Sequence, residues 1–437
     1  MGEVYTSGAP ATRWSIDCPR GGGLCFSPMK IWMKYLMGAV LGVVLALVLP
    51  LEDSGLRTVL GFLFDLSIRI GRYALLPLVL FSVPVAVFEQ NEDKAFWRGL
   101  GRTILVLVAA VAVLGLLGVV VAAAVRPTRI PLVADASSVG AVPDVKDLLF
   151  SIFPDNPMAA LVSSRFLLPT YFLAVLLGLA FSHDRAATKP VVQLFDSLSR
   201  IFYQINSFFV EFLGVLIIAA AARNVLELRS EARADVYRPL LLTVGAEALV
   251  VALVVLPAAL WFFGGKKNPY RVLYALLAPS IAALVTGDLY FSLGTLMKHA
   301  KESLGIRRRA NVLDLPLAAI FGRAGTALVT STAFIVVLSS YSNLGVSPAS
   351  LLWIVIFAPI ATLLSGASPD RGAMAALMSL CSLYGKGFEN GFLIAAPVAL
   401  PLIAIGGFLD ALWIGCASLL LARRSELSQE KEARFFI

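Results

Sequence analysis

The chain has 437 residues, of which 59% are hydrophobic and only 15% are charged, and its mean hydropathy is +0.84. A soluble domain of this length needs far more polar surface, so the composition excludes a soluble globular protein and indicates a polytopic membrane protein. The formal net charge of +8 would suggest nucleic-acid binding in a soluble chain. Here the cations cluster in short loops between apolar segments, as membrane topology requires.

The residue types needed for most catalytic chemistry are sparse. There are only two histidines, and the four cysteines are scattered without the spacing of metal ligands. The sequence shows no nucleophile–base arrangement and no glycine-rich phosphate loop after a strand. We therefore expect no enzyme activity and no metal, cofactor or nucleic-acid site.

Apolar windows along the chain predict the transmembrane helices. Residues 1–29 hold no apolar run and predict a disordered cytoplasmic tail. Eight later windows are apolar over the length that crosses a bilayer, so the sequence predicts an all-α fold with eight transmembrane helices. The windows are 36–51, 72–88, 103–125, 166–182, 201–222, 240–263, 315–338 and 393–422.

Two further apolar stretches, 272–297 and 352–384, are interrupted near the middle by polar and helix-breaking residues. The first contains "PSIAALVTGDLYFSLG" and the second "SGASPDRGA". Unpaired backbone cannot face lipid, so broken helices at membrane depth are buried in protein or line a cavity. Both stretches predict re-entrant helical hairpins, each followed by a full span. Such paired broken segments indicate the substrate site of a secondary transporter.

Positive charge is concentrated on one side of this predicted topology. The loops "EDKAFWRGLGR", "GGKKNPYR" and "KHAKESLGIRRR" are rich in Lys and Arg, whereas "SSYSNLGVSPAS" carries no charge. The positive-inside rule then predicts that both termini are cytoplasmic, although "RSEARADVYR" falls on the outer side with several arginines.

Several segments resemble the glutamate transporter family, the dicarboxylate/amino acid:cation symporters. Residues 153–180, "FPDNPMAALVSSRFLLPTYFLAVLLGLA", are similar to the fourth-helix signature of that family. "NPYRVLYALLAPSIAALVT" resembles its first hairpin, "LPLAAIFGRAGTAL" its seventh helix, and "GASPDRGA" the tip of its second hairpin. The resemblance runs in order over about residues 30–425.

The resemblance implies a homotrimer, surrounded by lipid in the plasma membrane of a bacterium, that works as an elevator. Residues 30–97 and 149–232 would form a static scaffold from helices one, two, four and five. The third helix with its following loop, 98–148, would join residues 233–425 in a transport domain that slides across the bilayer, and 426–437 would be a cytoplasmic tail. The family's substrate and sodium ions lie between the hairpin tips and the unwound seventh helix.

The sequence departs from the family at the ion and substrate positions. The family's NMDGT motif reads GRAGT at residues 322–326. Hydrocarbon side chains align with the family's third-helix sodium ligands and with the eighth-helix Asp and Arg that hold an amino acid: Val106, Ala110, Val111, Ala399 and Leu402. Sodium needs several oxygen ligands, so this pattern predicts impaired sodium coupling.

Arg323 and Asp410 are opposite charges predicted at membrane depth. Asp410 aligns with a sodium-ligating carboxylate of the family, and Arg323 replaces the methionine of its seventh-helix motif. An isolated charge is costly there, and a hydrogen-bonded pair relieves both. We therefore expect the guanidinium to replace a bound sodium ion and to pair with Asp410. Alternatively, Arg323 lies in a water-filled cavity and Asp410 near an aqueous edge, each solvated alone.

The hairpin tips supply further candidate substrate-binding residues. Arg371 could bind a substrate carboxylate bidentately, or could pair locally with Asp370 and touch no ligand. Gly325 and Thr326 match the family most directly as site-lining residues. The full predicted substrate-binding set is Asp288, Tyr290, Ser292, Arg323, Gly325, Thr326, Ser368, Pro369, Asp370, Arg371 and Gly372.

Two other carboxylates lie inside apolar spans, and such residues are functional candidates because burial there is costly. Glu247 falls in a transport-domain helix, so we interpret it as the candidate proton carrier. For Glu211, in a scaffold helix, structural pairing between helices is the favoured interpretation.

The leading hypothesis is a secondary active transporter of a small polar organic solute, either a carboxylate or an amino-acid-like compound, with doubtful sodium coupling. One alternative is a proton-coupled or uncoupled exchanger of a substrate that is not an amino acid. Another is a channel or sensor that kept the fold and lost transport.

Overall fold

In the computed structural model, the structure describes residues 29–48, 54–92, 96–130, 167–230, 234–341, 346–367, 372–385 and 387–437. These ranges are almost entirely helical, and the only extended pairing within them is an isolated bridge between Ile306 and Ser428. The predicted all-α membrane fold is therefore confirmed for this part of the chain. The predicted amino-terminal tail, apart from its last residue, lies outside the described residues, as do residues 153–166, the first half of the segment that resembles the fourth-helix signature.

Sixteen α-helices follow one another in the described ranges. They are α1 (Ile31–Val48), α2 (Ser54–Tyr73), α3 (Leu75–Glu92), α4 (Phe96–Val125), α5 (Leu167–Phe181), α6 (Arg185–Ser230), α7 (Ala234–Val250), α8 (Leu256–Phe263), α9 (Tyr270–Ala275), α10 (Leu277–Thr286), α11 (Leu289–Glu302), α12 (Arg308–Phe321), α13 (Ala324–Tyr341), α14 (Pro348–Leu364), α15 (Gly372–Tyr384) and α16 (Ala399–Arg424). A π-helical turn, Val251–Val255, joins α7 to α8, and a 3₁₀ helix, Gly391–Val398, precedes α16.

Seven stretches of the described chain are long and apolar enough to cross a membrane. They are Ile31–Val48, Gly55–Glu92, Phe96–Val125, Arg185–Arg229, Asp235–Phe263, Arg308–Tyr341 and Gly391–Arg424. They correspond to seven of the eight predicted spans. The remaining one, 166–182, is the 15-residue helix α5, which begins where the described residues resume.

The first interrupted stretch forms α10 and α11, two helices that pack against each other. The break falls at Gly287, whose φ of +66° lies in the left-handed region that glycine adopts most readily. Asp288 follows as the N-cap of α11, and its side chain accepts a hydrogen bond from the Tyr290 amide. The predicted break in hairpin one is thus observed, and two residue types that were visible in the sequence produce it.

The second interrupted stretch forms α14, a 3₁₀ turn (Ser365–Ala367) and α15, and the two α-helices also pack together. Residues 368–371, at the tip of this hairpin, lie outside the described residues. Gly366 packs so closely on α12 that a Cβ there would lie 2.3 Å from the Ile320 carbonyl oxygen. The second hairpin therefore reaches the end of α12 through a glycine.

The predicted seventh span is broken between α12 and α13, with Gly322 and Arg323 in the link. A Cβ on Gly325, in the first turn of α13, would lie 2.2 Å from the Leu409 Cβ. This absence of a side chain lets α13 cross α16 at close range. From Ala324 to Leu338 every residue of α13 is buried, so the helix forms the centre of the core.

Helix α11 packs along α1 and α6 through polar contacts, and its residues 289–300 are all buried. The Tyr35 hydroxyl lies 3.1 Å from the Thr295 hydroxyl, and the Asn206 side-chain amide donates to the Gly294 carbonyl at 3.0 Å. Lys298 donates to Glu211 at 3.0 Å. Buried polar contacts between helices require a specific geometry, so these contacts fix the position of α11 against α1 and α6.

Candidate functional site

The break between α12 and α13 places Arg323 in the protein interior. The residue is 1% exposed, and its Nε lies 3.5 Å from the Ala319 carbonyl oxygen at the end of α12. A guanidinium at this depth is a fixed positive charge in the core of a membrane protein. The side chain is therefore closed off from bulk solvent in this structure.

Asp410 faces the first turn of α13. Its two carboxylate oxygens accept hydrogen bonds from Thr326, one from the amide at 3.0 Å and one from the side-chain hydroxyl at 2.6 Å. The carboxylate is 1% exposed and lies at the amino-terminal end of a helix, where amide groups favour a negative charge. Close crossing at Gly325 permits this geometry, because Asp410 follows Leu409.

The predicted hydrogen-bonded ion pair between Arg323 and Asp410 is not formed between these two described side chains. Thr326 occupies both carboxylate oxygens instead, because its amide and hydroxyl lie in the first turn of α13, directly against Asp410. Among the described residues, the hydrogen-bond partner of the Asp410 carboxylate is therefore Thr326.

Asp288, predicted to bind substrate, forms an ion pair at the tip of hairpin one. Its carboxylate accepts from the Arg72 Nε of α2 at 2.7 Å, and its other oxygen accepts from the Tyr290 amide at 2.9 Å. The two ion-paired side chains are 14% and 3% exposed, Arg72 being the first. A buried charge without its partner is costly, so this pair fixes the hairpin tip against α2.

Tyr290 links the two hairpins. Its hydroxyl donates to the Gly366 carbonyl at 3.2 Å, and its ring centroid lies 6.0 Å from the Arg72 guanidinium carbon. The Ser292 hydroxyl, by contrast, donates to the Leu289 carbonyl at 2.8 Å and is turned toward its own helix. Tyr290 thus connects hairpin one to Gly366 of hairpin two and lies beside Arg72.

Of the predicted residues in hairpin two, Ser368, Pro369, Asp370 and Arg371 lie outside the described residues. Gly372 begins α15 with a φ of +28°, and a Cβ there would lie 4.0 Å from the Thr326 hydroxyl oxygen. One residue further on, the Ala373 carbonyl accepts from the Thr330 hydroxyl at 3.3 Å. The described end of the tip therefore lies against α13.

Glu247 and Glu211 have different surroundings. Glu247 is 5% exposed, and its Oε2 accepts from the Thr332 hydroxyl of α13 at 2.8 Å. Glu211 is half-exposed and accepts from Lys298 at 3.0 Å, with Lys34 at 3.7 Å. The favoured interpretation of Glu211 as a structural pair agrees with these contacts. Glu247 is a carboxylate in the core beside the central helix.

Two charged residues of the site region were missed from the sequence. Arg72 pairs with Asp288, and Asp314, on α12, accepts from the Thr103 hydroxyl at 3.0 Å. Arg72 is the first residue of the predicted apolar window 72–88, and Asp314 directly precedes the window 315–338. A charged residue at such an edge is easily assigned to a loop. The sequence signal that could have identified both is a charged residue within one helical turn of the end of a predicted span.

The family model of the sodium:dicarboxylate symporter family matches residues 31–411. The chain therefore belongs to that family, and it is a transporter rather than an enzyme.

Relatives of this chain are transporters of named amino acids. It is 26% identical to the serine/threonine transporter SstT of Enterococcus faecalis over 86% of this chain and 85% of that protein. It is 26% identical to SstT of Streptococcus agalactiae over 90% and 94%, and 24% identical to SstT of Acinetobacter baylyi over 88% and 92%. The chain is thus a divergent family member, an integral protein of the bacterial plasma membrane that carries small polar solutes as a secondary transporter.

Proposed function

We propose that this protein transports a small organic solute bearing a carboxylate, with Arg323 as a fixed positive charge at the site. The observation that carries the proposal is the 1% exposure of Arg323 at the α12–α13 break, beside Tyr290 and Asp410. A guanidinium is costly to bury at membrane depth and binds carboxylates bidentately. In this proposal the Arg323 guanidinium binds the carboxylate of the transported solute.

The proposed substrate class rests on the uncharged residues at two positions of the eighth predicted span. Ala399 and the buried Leu402 provide no charged group at the positions where the family holds an amino acid. The relatives transport serine and threonine, so a small hydroxylated amino acid is one candidate. A carboxylate without an ammonium group is the other, because no dedicated acidic partner for ammonium stands at 399 or 402.

The coupling ion is proposed to differ from sodium. Val106, Ala110 and Val111 contribute no oxygen ligands, and the electrostatic influence of Arg323 on Asp410 supplies a positive charge that needs no diffusible cation. Glu247, in contact with the Thr332 hydroxyl, is the candidate to carry a proton with the solute. The carrier would then be proton-coupled, or an uncoupled exchanger if Glu247 keeps its proton state.

The mechanical proposal is an elevator in a homotrimer. Residues 30–97 and 149–232 form the scaffold in this proposal, and 98–148 with 233–425 form the moving domain. Support comes from the contacts of α11, whose Thr295, Gly294 and Lys298 meet α1 and α6 across the proposed boundary. At the same boundary Phe291 of α11 packs in a small apolar cluster with Tyr35 and Leu213, so the proposed sliding surface combines a few polar contacts with a limited apolar area.

Solute identity is tested first by ligand-induced stabilisation and then by counterflow. Purified protein is screened with serine, threonine and small carboxylates lacking an amino group, because bound ligand raises apparent stability. The best solute is then loaded into proteoliposomes and labelled solute is added outside. Counterflow by wild type, reduced at least tenfold in Arg323→Met and less in Arg323→Lys, is expected. Equal counterflow by wild type and Arg323→Met would contradict a carboxylate site at Arg323.

The second candidate function is a channel or sensor on the same fold, favoured by the missing cation ligands at Val106, Ala110 and Val111. A channel dissipates a gradient and cannot support counterflow. Stabilisation of the purified protein by a solute without any counterflow would therefore favour a sensor.

A further inference from the structure

A cavity of about 210 Å³ lies where two membrane spans end. Its wall contains Gly264, directly after α8, and Arg423, in the last turn of α16. The beginning of α9, the end of hairpin one and the segment 425–437 complete it. The cavity is remote in sequence from the α12–α13 break and is not part of the site described above.

The charged residues in the lining of the cavity are mainly positive. Four cationic side chains and one carboxylate belong to its lining: Lys267, Arg271, Arg423, Lys431 and Glu430. Lys267 forms an ion pair with Glu430. The hydrogen bond from Lys267, and then the charges of Lys267, Arg423 and Arg271, hold the pKa of Glu430 below its usual range. The fields of these cations therefore overlap inside the cavity.

The remaining cations are held by backbone carbonyl groups, which position a charge without neutralising it. Arg423 donates to the Gly264 carbonyl at 3.1 Å, and Lys431 donates to the Glu302 carbonyl at 2.8 Å. Arg271 donates to the Lys431 carbonyl. The result is a preformed concave surface with more positive than negative charge.

Exposed aromatic residues stand at the same level of the molecule. Trp261, Phe262 and Phe263 are 46%, 73% and 57% exposed and form the last turn of α8, directly before Gly264. Aromatic side chains concentrate where the hydrocarbon core meets the headgroups. The exposed aromatic turn beside Gly264 therefore indicates that this end of α8 lies near the membrane–water interface.

We propose that this cavity binds the phosphate group of an acidic lipid headgroup. Basic pockets between transmembrane helices are the type of site that takes such groups, and the phosphodiester is the anion present at this depth. Free phosphate offers similar chemistry, but it would make no use of the exposed aromatic turn.

The test compares lipid and free phosphate on the full-length protein. Native mass spectrometry in detergent is titrated with phosphatidylglycerol, phosphatidylcholine or inorganic phosphate. We expect retained phosphatidylglycerol, no retained phosphatidylcholine, and no competition by millimolar inorganic phosphate. Each basic residue near an anionic lipid contributes about fivefold in binding, so Arg271→Gln with Arg423→Gln is expected to weaken it about 30-fold.

The matched control is Arg98→Gln, which removes an exposed arginine beside an exposed tryptophan, Trp97, at the start of α4. It is expected to bind lipid like wild type. Lys267→Gln, at a half-exposed position, replaces the double variant if that protein elutes as an aggregate. Equal lipid binding by wild type and the cavity variants would overturn the proposal. Full displacement of phosphatidylglycerol by inorganic phosphate would overturn its assignment to a lipid.

Discussion

The packing of the tip of hairpin one against α2 can be tested through the ion pair between Arg72 and Asp288. The pair joins α2 to the hairpin tip at 2.7 Å, and its side chains are 14% and 3% exposed. Arg72→Gln leaves a buried Asp288 carboxylate that still accepts the hydrogen bond from the Tyr290 amide. Removal of one partner of a buried pair costs about 3–5 kcal/mol, and we expect a loss in that range.

The reciprocal change is expected to cost less. Asp288→Asn keeps a good N-cap for α11, and the arginine it leaves is the more exposed partner. A loss of about 1–3 kcal/mol follows from a charged hydrogen bond removed. The double variant should be more stable than the sum of the two losses predicts, with a coupling of about 2 kcal/mol.

The assay is denaturant unfolding in detergent micelles, followed by tryptophan fluorescence. Arg185→Gln is the matched control, because Arg185 pairs with Glu92 at 3.3 Å with side chains 42% and 60% exposed. An exposed pair contributes about 0–1 kcal/mol, so this variant should lose little. Strictly additive losses in the Arg72 and Asp288 cycle would refute the reasoning that the pair holds the tip.

Three further predictions test the carboxylates. Thr326→Val removes the donor 2.6 Å from Asp410 and should lower the free energy of unfolding by about 1–3 kcal/mol; an unchanged unfolding curve would contradict that contact. Glu247→Gln should abolish the pH dependence of uptake into proteoliposomes, whereas Glu211→Gln should keep it; retained pH dependence in Glu247→Gln would exclude it as the proton carrier. Lys267 lowers the pKa of Glu430, so the stabilisation is present above the unperturbed value of 4.5 and is lost as the pH falls through the lowered one. The small stability difference between wild type and Lys267→Gln should therefore vanish in acid, and a difference that persists there would contradict the pairing.

The fold was predictable where the local chemistry is decisive. Membrane spans follow from apolar length, and the break at Gly287 follows from a residue that tolerates φ of +66°. Both signals are local in sequence. The seventh-helix break was expected only through the family resemblance, because Gly322 and Arg323 alone do not determine where α12 ends.

The sequence identified several residues of the candidate site, but it did not predict which side chains contact each other there. Asp410 and Thr326 were both named from the sequence, yet their mutual hydrogen bonds depend on how closely α13 and α16 cross at Gly325. The pairing of Asp288 with Arg72 depends on how hairpin one packs against α2. Such contacts span large separations along the chain, and charge type alone does not choose between several opposite charges.

The most direct test of the central claim is the sodium dependence of solute uptake in proteoliposomes. A fixed guanidinium at residue 323 should make wild-type uptake the same whether the external cation is sodium, potassium or choline. Arg323→Met should lose uptake about 10- to 100-fold in all three, the loss expected when a charged hydrogen bond to the solute is removed. Uptake by wild type that rises with an inward sodium gradient would contradict the claim.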